Sequence, residues 1–254
     1  MTLELKNLRK TYTDGTGEAS VEALSTINLT VREGEFLSVV GPSGCGKSTM
    51  LRIIAGLEHP TTGTVFINGE QLEEPWGRVG FVFQEYALFP WRTVSENVEF
   101  GLELKNIPGK ERRRMALEYI NKFGMGGFED TYPRDLSGGM KQRVAIARTL
   151  ITNPSIILMD EPFGSLDSQT RNALQEFLLS VWQNSHKTII FVTHNIDEAV
   201  FLSQRVIGFS GRPGSIKLSL EIDIPAPRDR TSSDFNRYRK EILSFLQQQS
   251  AAGT

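Results

Sequence analysis

The chain has 254 residues, 39% of them hydrophobic and 23% charged, with a formal net charge of -2. That profile excludes a disordered or fibrous chain and leaves room for one sizeable α/β domain. The acid–base balance argues against a nucleic-acid partner, and a single cysteine excludes an intrachain disulfide and suits a reducing compartment.

The opening Met1-Thr-Leu-Glu-Leu-Lys6 has no apolar core of the kind a signal peptide needs. Leu3, Leu5 and Leu8, then Leu24, Ile27, Leu29 and Val31, alternate with polar residues. This predicts strands with one solvated face. A glycine-bearing loop at 14–17 separates them. Residues 36–40 form a short apolar run ending in a glycine-rich turn, and 48–55 has helical spacing. Residues 61–70 read as a β-hairpin arm turned by Asn68-Gly69. From about 87 to 149 the pattern is helical, broken at 107–109 and 124–127. The runs 156–159 and 189–192 are too short to span a bilayer and suit buried parallel strands. The tail after Ile224-Pro-Ala-Pro-Arg228 carries one amphipathic helical stretch near 235–245. The expectation is a soluble chain that reaches a membrane only through partners.

Gly41-Pro-Ser-Gly-Cys-Gly-Lys-Ser-Thr49 matches the P-loop pattern in full, between an apolar strand and a helix. Gly41, Ser43, Gly44, Cys45, Gly46 and Thr49 would turn backbone N–H groups onto phosphate oxygens, aided by the positive end of the following helix. Lys47 would reach the outer phosphates and the Ser48 hydroxyl would ligate Mg²⁺. Ile156-Ile-Leu-Met-Asp-Glu161 is a buried strand ending in two carboxylates. Asp160 would hold Mg²⁺ and Glu161 would polarise an attacking water as general base. Cys45, beside a helix N-terminus, is expected to be a reactive thiol that nucleotide protects.

Leu136-Ser-Gly-Gly-Met-Lys-Gln-Arg143 resembles the signature motif of ABC ATPases, and it lies between the P-loop and the Asp160-Glu161 strand in that family's order. Ser137 would cap a helix, with Gly138 and Gly139 exposing its first amides as a second anion site. The other family elements follow in order. Tyr12 resembles the aromatic that stacks on adenine. Gln84 resembles the glutamine that senses Mg²⁺ and faces the membrane partner. Ser165-Leu-Asp167 resembles the D-loop at the dimer interface, and His194 the switch histidine at the γ-phosphate. Met140 and Ser165 stand where the common pattern has glutamine and alanine.

The resemblance covers about residues 3–246. It implies an α/β fold: a P-loop NTPase core with an antiparallel β subdomain and an inserted helical signature subdomain. The whole of 1–254 would be one ABC-type ATPase domain, with core 1–86 and 150–223, helical lobe 87–149 and tail 224–254. ATP and Mg²⁺ would bind between two copies, one supplying Lys47, Ser48, Asp160, Glu161, Gln84 and His194 and the other Ser137 and Gly139. Within the stretch 87–98, Leu88, Phe89, Pro90 and Trp91 would wall a groove for a helix of the permease, and Phe89-Pro-Trp-Arg-Thr-Val94, like the tail Ile224-Pro-Ala-Pro-Arg-Asp-Arg230, is similar to ATPases of the nitrate, sulfonate and taurine importers. The implied protein is an ATP-hydrolysing homodimer on transmembrane permease subunits, at the cytoplasmic face of the membrane, served indirectly by an extracytoplasmic solute-binding protein. Two alternatives stay open at this stage: a non-transport ABC ATPase acting on a soluble complex, and a P-loop module that binds ATP without turnover.

Overall fold

The computed structural model describes residues 2–13, 20–73, 77–226 and 228–251; the expected loop at 14–17 and Pro227 lie outside them. The chain divides into two units, one of Met1–Trp76 with Asn184–Thr254 and one of Gly77–Gln183.

In the first unit, β1 (Leu3–Thr13) pairs antiparallel with β2 (Ser20–Val31). On its other side it pairs with β4 (Thr62–Ile67), which turns into the two-residue β5 (Glu70–Gln71). The alternating leucines and isoleucines point to the buried face, as period-2 spacing requires. Asn68 and Gly69 take φ 55° and 79°, the paired left-handed residues that match a tight turn to strand twist.

The unit's other layer is parallel. β3 (Phe36–Val40) lies between β8 (Thr188–Val192) and β9 (Arg205–Phe209), and β10 (Ile216–Glu221) adds antiparallel to β9. β3 and β8 are buried at every position, which only strands covered on both faces allow. α1 (Lys47–Ile54) packs on β8 and β2, and α6 (Ile196–Leu202) on β3. The terminal α7 (Ser233–Ala251) packs on α6 and β9.

Arg228 ties this tail down. Its guanidinium donates to the carbonyls of Val200 (2.6 Å), Phe201 (3.2 Å) and Ser203 (2.7 Å) at the C-terminus of α6, and to Ile224 (3.1 Å). A cation there satisfies orphan carbonyls and complements the helix dipole, although burial disfavours its charge and lowers its pKa to about 10. Arg228→Leu leaves those carbonyls without their donor and is expected to cost about 2–4 kcal/mol of stability, read as a shift of the denaturant midpoint. A shift within experimental error would mean water replaces the guanidinium without penalty.

In the second unit, β6 (Val79–Val82) pairs parallel with β7 (Ile156–Asp160). Between them in sequence come α2 (Val94–Leu104), α3 (Gly109–Lys122), a 3₁₀ turn at Pro133–Asp135 and α4 (Gly138–Leu150); α5 (Ser168–Ser185) follows. Thr93 and Glu96 form a reciprocal capping box at the start of α2. Pro108 caps α3, and Gly124 (φ 66°) ends it, so the breaks at 107–109 and 124–127 are a helix start and a helix stop. Among the described residues, no helix is long and apolar enough to cross a membrane.

Candidate nucleotide site

In the first unit, β3 ends at Val40 and the chain turns through 41–46 into α1. Gly44 and Gly46 take φ 73° and 98°, a left-handed backbone open to glycine at little cost. The loop is also closely wrapped. A Cβ on Gly41 would lie 2.9 Å from the Phe209 Cβ and 3.0 Å from the Cys45 Sγ; one on Gly46 would lie 2.7 Å from the Ala23 carbonyl oxygen. Arg212 adds a grip from outside, its Nε donating to the Gly44 carbonyl at 3.2 Å. Motif reading missed Arg212, which lies far along the chain and belongs to no pattern.

Lys47 is buried in this cradle. Its Nζ donates to the carbonyls of Gly41 and Pro42, each at 2.9 Å, so its charge is held against the loop's own dipoles. Cys45 corrects the expectation of a reactive thiol. It is 1% exposed, and burial pushes the thiol above its ordinary value despite the nearby Lys47 ammonium. Alkylating reagents are therefore expected to leave Cys45 unlabelled in the native chain, without nucleotide, and to label it after denaturation. Rapid native labelling, followed by mass spectrometry, would contradict this burial.

The same edge carries His194. β8 runs parallel to β3, with Val192 opposite Val39, so the ends of both strands open on one side. The residues around His194 are locked. The Thr193 hydroxyl donates to the buried Glu198 carboxylate at 2.6 Å and accepts from the Asn195 N–H at 3.0 Å. Asn195 then caps α6, accepting from the N–H groups of Asp197 and Glu198. Tyr12 stands near the end of β1, 39% exposed, its hydroxyl 3.4 Å from the Thr49 hydroxyl in the first turn of α1.

In the second unit, Val82 pairs with Met159, so Gln84 and the Asp160-Glu161 pair leave adjacent parallel strands on one edge. Asp160 is buried at the end of β7, and Glu161 sits at φ 45°. A glutamate there is held in a sparsely populated backbone region by its surroundings. The turn 161–167 is tied by Gly164 N–H to Glu161 O and by Arg171 to the carbonyls of Phe163 and Leu166. Asp167 ends it as the cap of α5, accepting from the N–H groups of Gln169 (3.1 Å) and Thr170 (3.0 Å); these bonds hold its carboxyl below the usual range.

Ser137 caps α4, its hydroxyl accepting from Met140 N–H at 3.3 Å. Gly138 and Gly139 have a packing role the motif does not reveal. A Cβ on Gly138 would come 3.0 Å from the Tyr86 hydroxyl and 3.2 Å from Leu166, and one on Gly139 would collide with Thr170. Ser165, where the common pattern has alanine, hydrogen-bonds the Tyr86 hydroxyl at 2.8 Å.

A groove of about 780 Å³ opens here, lined by Gln84, Tyr86, Leu88, Pro90, Arg134 and Ser165 among others. Of the four apolar walls expected, Leu88 and Pro90 line it. Phe89 instead packs edge-on against Phe100 at 4.6 Å, and Trp91 is 71% exposed outside the lining. Arg148 fixes the groove's loop by donating to the carbonyls of Ala87 (2.7 Å) and Tyr86 (3.2 Å).

Comparison with known proteins gives the family. The family model described as ABC transporter matches residues 24–164. An uncharacterised ABC transporter ATP-binding protein of Methanocaldococcus jannaschii is 57% identical over 96% of this chain and 91% of its own. The nitrate import ATP-binding protein of Synechocystis sp. is 47% identical, covering 97% and 95%. An aliphatic sulfonates import ATP-binding protein of Bacillus cereus is 45% identical, covering 96% and 95%. Among solved structures, a dimeric post-hydrolysis state of an ATP-binding cassette bound to ADP and Pi superposes with a TM-score of 0.78 at 39% identity, covering 88% of this chain and all of that one.

Proposed function

Because the chain belongs to the ABC transporter family, we propose that it is the ATP-hydrolysing subunit of a membrane importer for a small anion of the nitrate or sulfonate type. The observation that carries this reading is the β3–loop–α1 cradle, where Gly41 and Gly46 leave room for backbone alone and the buried Lys47 lies within it. ATP is the substrate. Its phosphates suit the amides of 41–49 and Lys47, its adenine suits the exposed Tyr12 ring, and Glu161 is the general base for the attacking water. By the family pattern His194 and Gln84 would each act at the γ-phosphate.

Magnesium fits the donor set. Among the described residues no cluster of three or more His, Cys, Asp or Glu side chains could cage a metal. Mg²⁺ bound with phosphates needs only one or two protein oxygens. By the family pattern its ligands would be Ser48, Asp160 and Gln84, and it would neutralise phosphate charge. The chain's own residues position the nucleotide and the water, which is most of what phosphoryl transfer asks of a protein.

The signature segment, Ser137 with Gly138 and Gly139, closes over nucleotide held by a second copy, and Asp167 lies at that interface. The dimeric cassette among the solved structures supports this arrangement. ATP then favours one state of the pair and hydrolysis releases it, a population shift driven by differential affinity. The groove beside Gln84 would take a short helix of a transmembrane permease subunit, with the chain peripheral on the cytoplasmic face of the membrane. A solute-binding protein outside would deliver the anion. Residues 1–254 act as one ABC-type ATPase domain, with a core of 1–86 and 150–223, a lobe of 87–149 and a tail of 224–254.

Phosphate release by the purified chain, with oligomeric state recorded with and without MgATP, tests this reading. Turnover with an ATP-dependent dimer is expected. No turnover, either alone or with membranes containing the permease, would overturn it.

A further inference from the structure

Tyr12 is 39% exposed and is held at its hydroxyl and over one ring face. Its hydroxyl reaches both the Thr49 hydroxyl and the Glu58 carboxylate. Lys10 Nζ stands 4.9 Å from the ring centroid, over one face. The same ammonium pairs with Glu58 at 3.0 Å and donates to the His59 carbonyl at 2.8 Å. The Lys10 and Glu58 side chains are 15% and 17% exposed, whereas Tyr12 is 39% exposed. Burying an ion pair gives little net stability, because desolvation offsets the attraction. A half-buried pair of this kind adds little net stability, and its place beside the Tyr12 ring points to a role in holding that ring.

We propose that Lys10 and Glu58 are positioning residues for the nucleotide base, holding Tyr12 as a fixed platform with one face covered by the ammonium and the other open. The inference rests on the reading that Tyr12 stacks on adenine, and it names what makes that stacking effective. An unrestrained tyrosine at a strand end would surrender rotamer freedom when a base binds, whereas a tethered ring has already done so. The bond to Thr49 also fixes the ring relative to the phosphate loop, so base and phosphates are read at a set separation. The cation on the covered face adds an attraction that holds the ring down.

The test compares ATP with tripolyphosphate, which keeps the charge and lacks the base, by titration calorimetry in magnesium on the full chain. Tyr12→Ala, Glu58→Gln, Lys10→Met and Lys10→Arg are each measured, with thermal unfolding recorded beside them. Tyr12→Ala is expected to remove about tenfold of the preference for ATP. Glu58→Gln and Lys10→Met are expected to remove about two- to tenfold, with tripolyphosphate binding unchanged. Lys10→Arg keeps the cation and is expected to retain more of the preference than Lys10→Met. In turnover the loss would appear in KM and not in kcat. If Tyr12→Ala keeps the full preference, the adenine reading itself fails. If Tyr12→Ala loses it while Glu58→Gln and Lys10→Met do not, the platform needs no clamp and the proposal falls. Equal loss for ATP and tripolyphosphate would overturn it too, by making the pair a support for the phosphate loop alone. Glu58→Gln conserves shape and decides the matter if Lys10→Met does not fold.

Discussion

A chain carrying Glu161→Gln will bind ATP as the wild type does and release phosphate about 10²–10⁴-fold more slowly, the usual weight of a general base. The expectation follows from where Glu161 stands. It leaves the end of a fully buried strand, directly after the buried Asp160. Its φ of 45° and the tied turn after it give its backbone a set position. Glutamine has the same length and the same backbone needs, so the turn, the Asp167 cap and the fold should all persist. What disappears is the ability to take a proton from water. With binding intact and hydrolysis stopped, MgATP should accumulate a dimer, seen as a shift in elution volume that the wild type shows only transiently. Hydrolysis at the wild-type rate would move the base elsewhere. Loss of ATP binding would mean that the carboxylate charge serves the nucleotide and not the water.

The local frames of the candidate site were legible because each depends on local pattern: a glycine-rich turn between an apolar run and a helix, two carboxylates ending a buried strand, a serine capping a helix. The parts that were not legible depend on residues far away in sequence. Cys45 is buried with its Sγ against Gly41, on which Phe209 also packs, and nothing near residue 45 announces Phe209. The left-handed Glu161 follows from the turn that Arg171 ties, not from any preference of glutamate. Strand β9 was not singled out for a related reason. Its Gly208 reads as punctuation, yet it is glycine because the Leu218 side chain and the Phe245 ring of the terminal helix lie where a Cβ would go. β10 exposes alternate residues at the sheet's edge and gives too weak a pattern to separate from a loop. Phe89 shows the limit from the other side. Its motif neighbours suggested a groove wall, but Phe100 and Asn97 offer it a packed site within the lobe.

Gly46→Ala should damage the chain far more than Gly44→Ala, although both glycines have positive φ and both belong to the same loop. At Gly44 an added Cβ meets only the far end of Arg212, 3.6 Å away, so the cost is the left-handed backbone alone, about 1–2 kcal/mol. At Gly46 the backbone cost recurs and a clash is added. The Cβ would lie 2.6 Å from a Leu24 methyl and 2.7 Å from the Ala23 carbonyl oxygen. That carbonyl cannot retreat freely, because it accepts the Gly214 N–H at 3.0 Å while the Gly214 carbonyl accepts from Ser25. Gly46 is also the residue that opens α1, so relief must come from moving the helix start and the loop amides with it. The combined strain and overpacking amount to about 2–5 kcal/mol. ATP affinity should fall at least about tenfold, since displaced amides no longer converge on one anion. Denaturant midpoints and ATP titrations of the two variants side by side measure the difference. Equal loss in both would show that backbone conformation alone governs the loop, and that β2 does not constrain it.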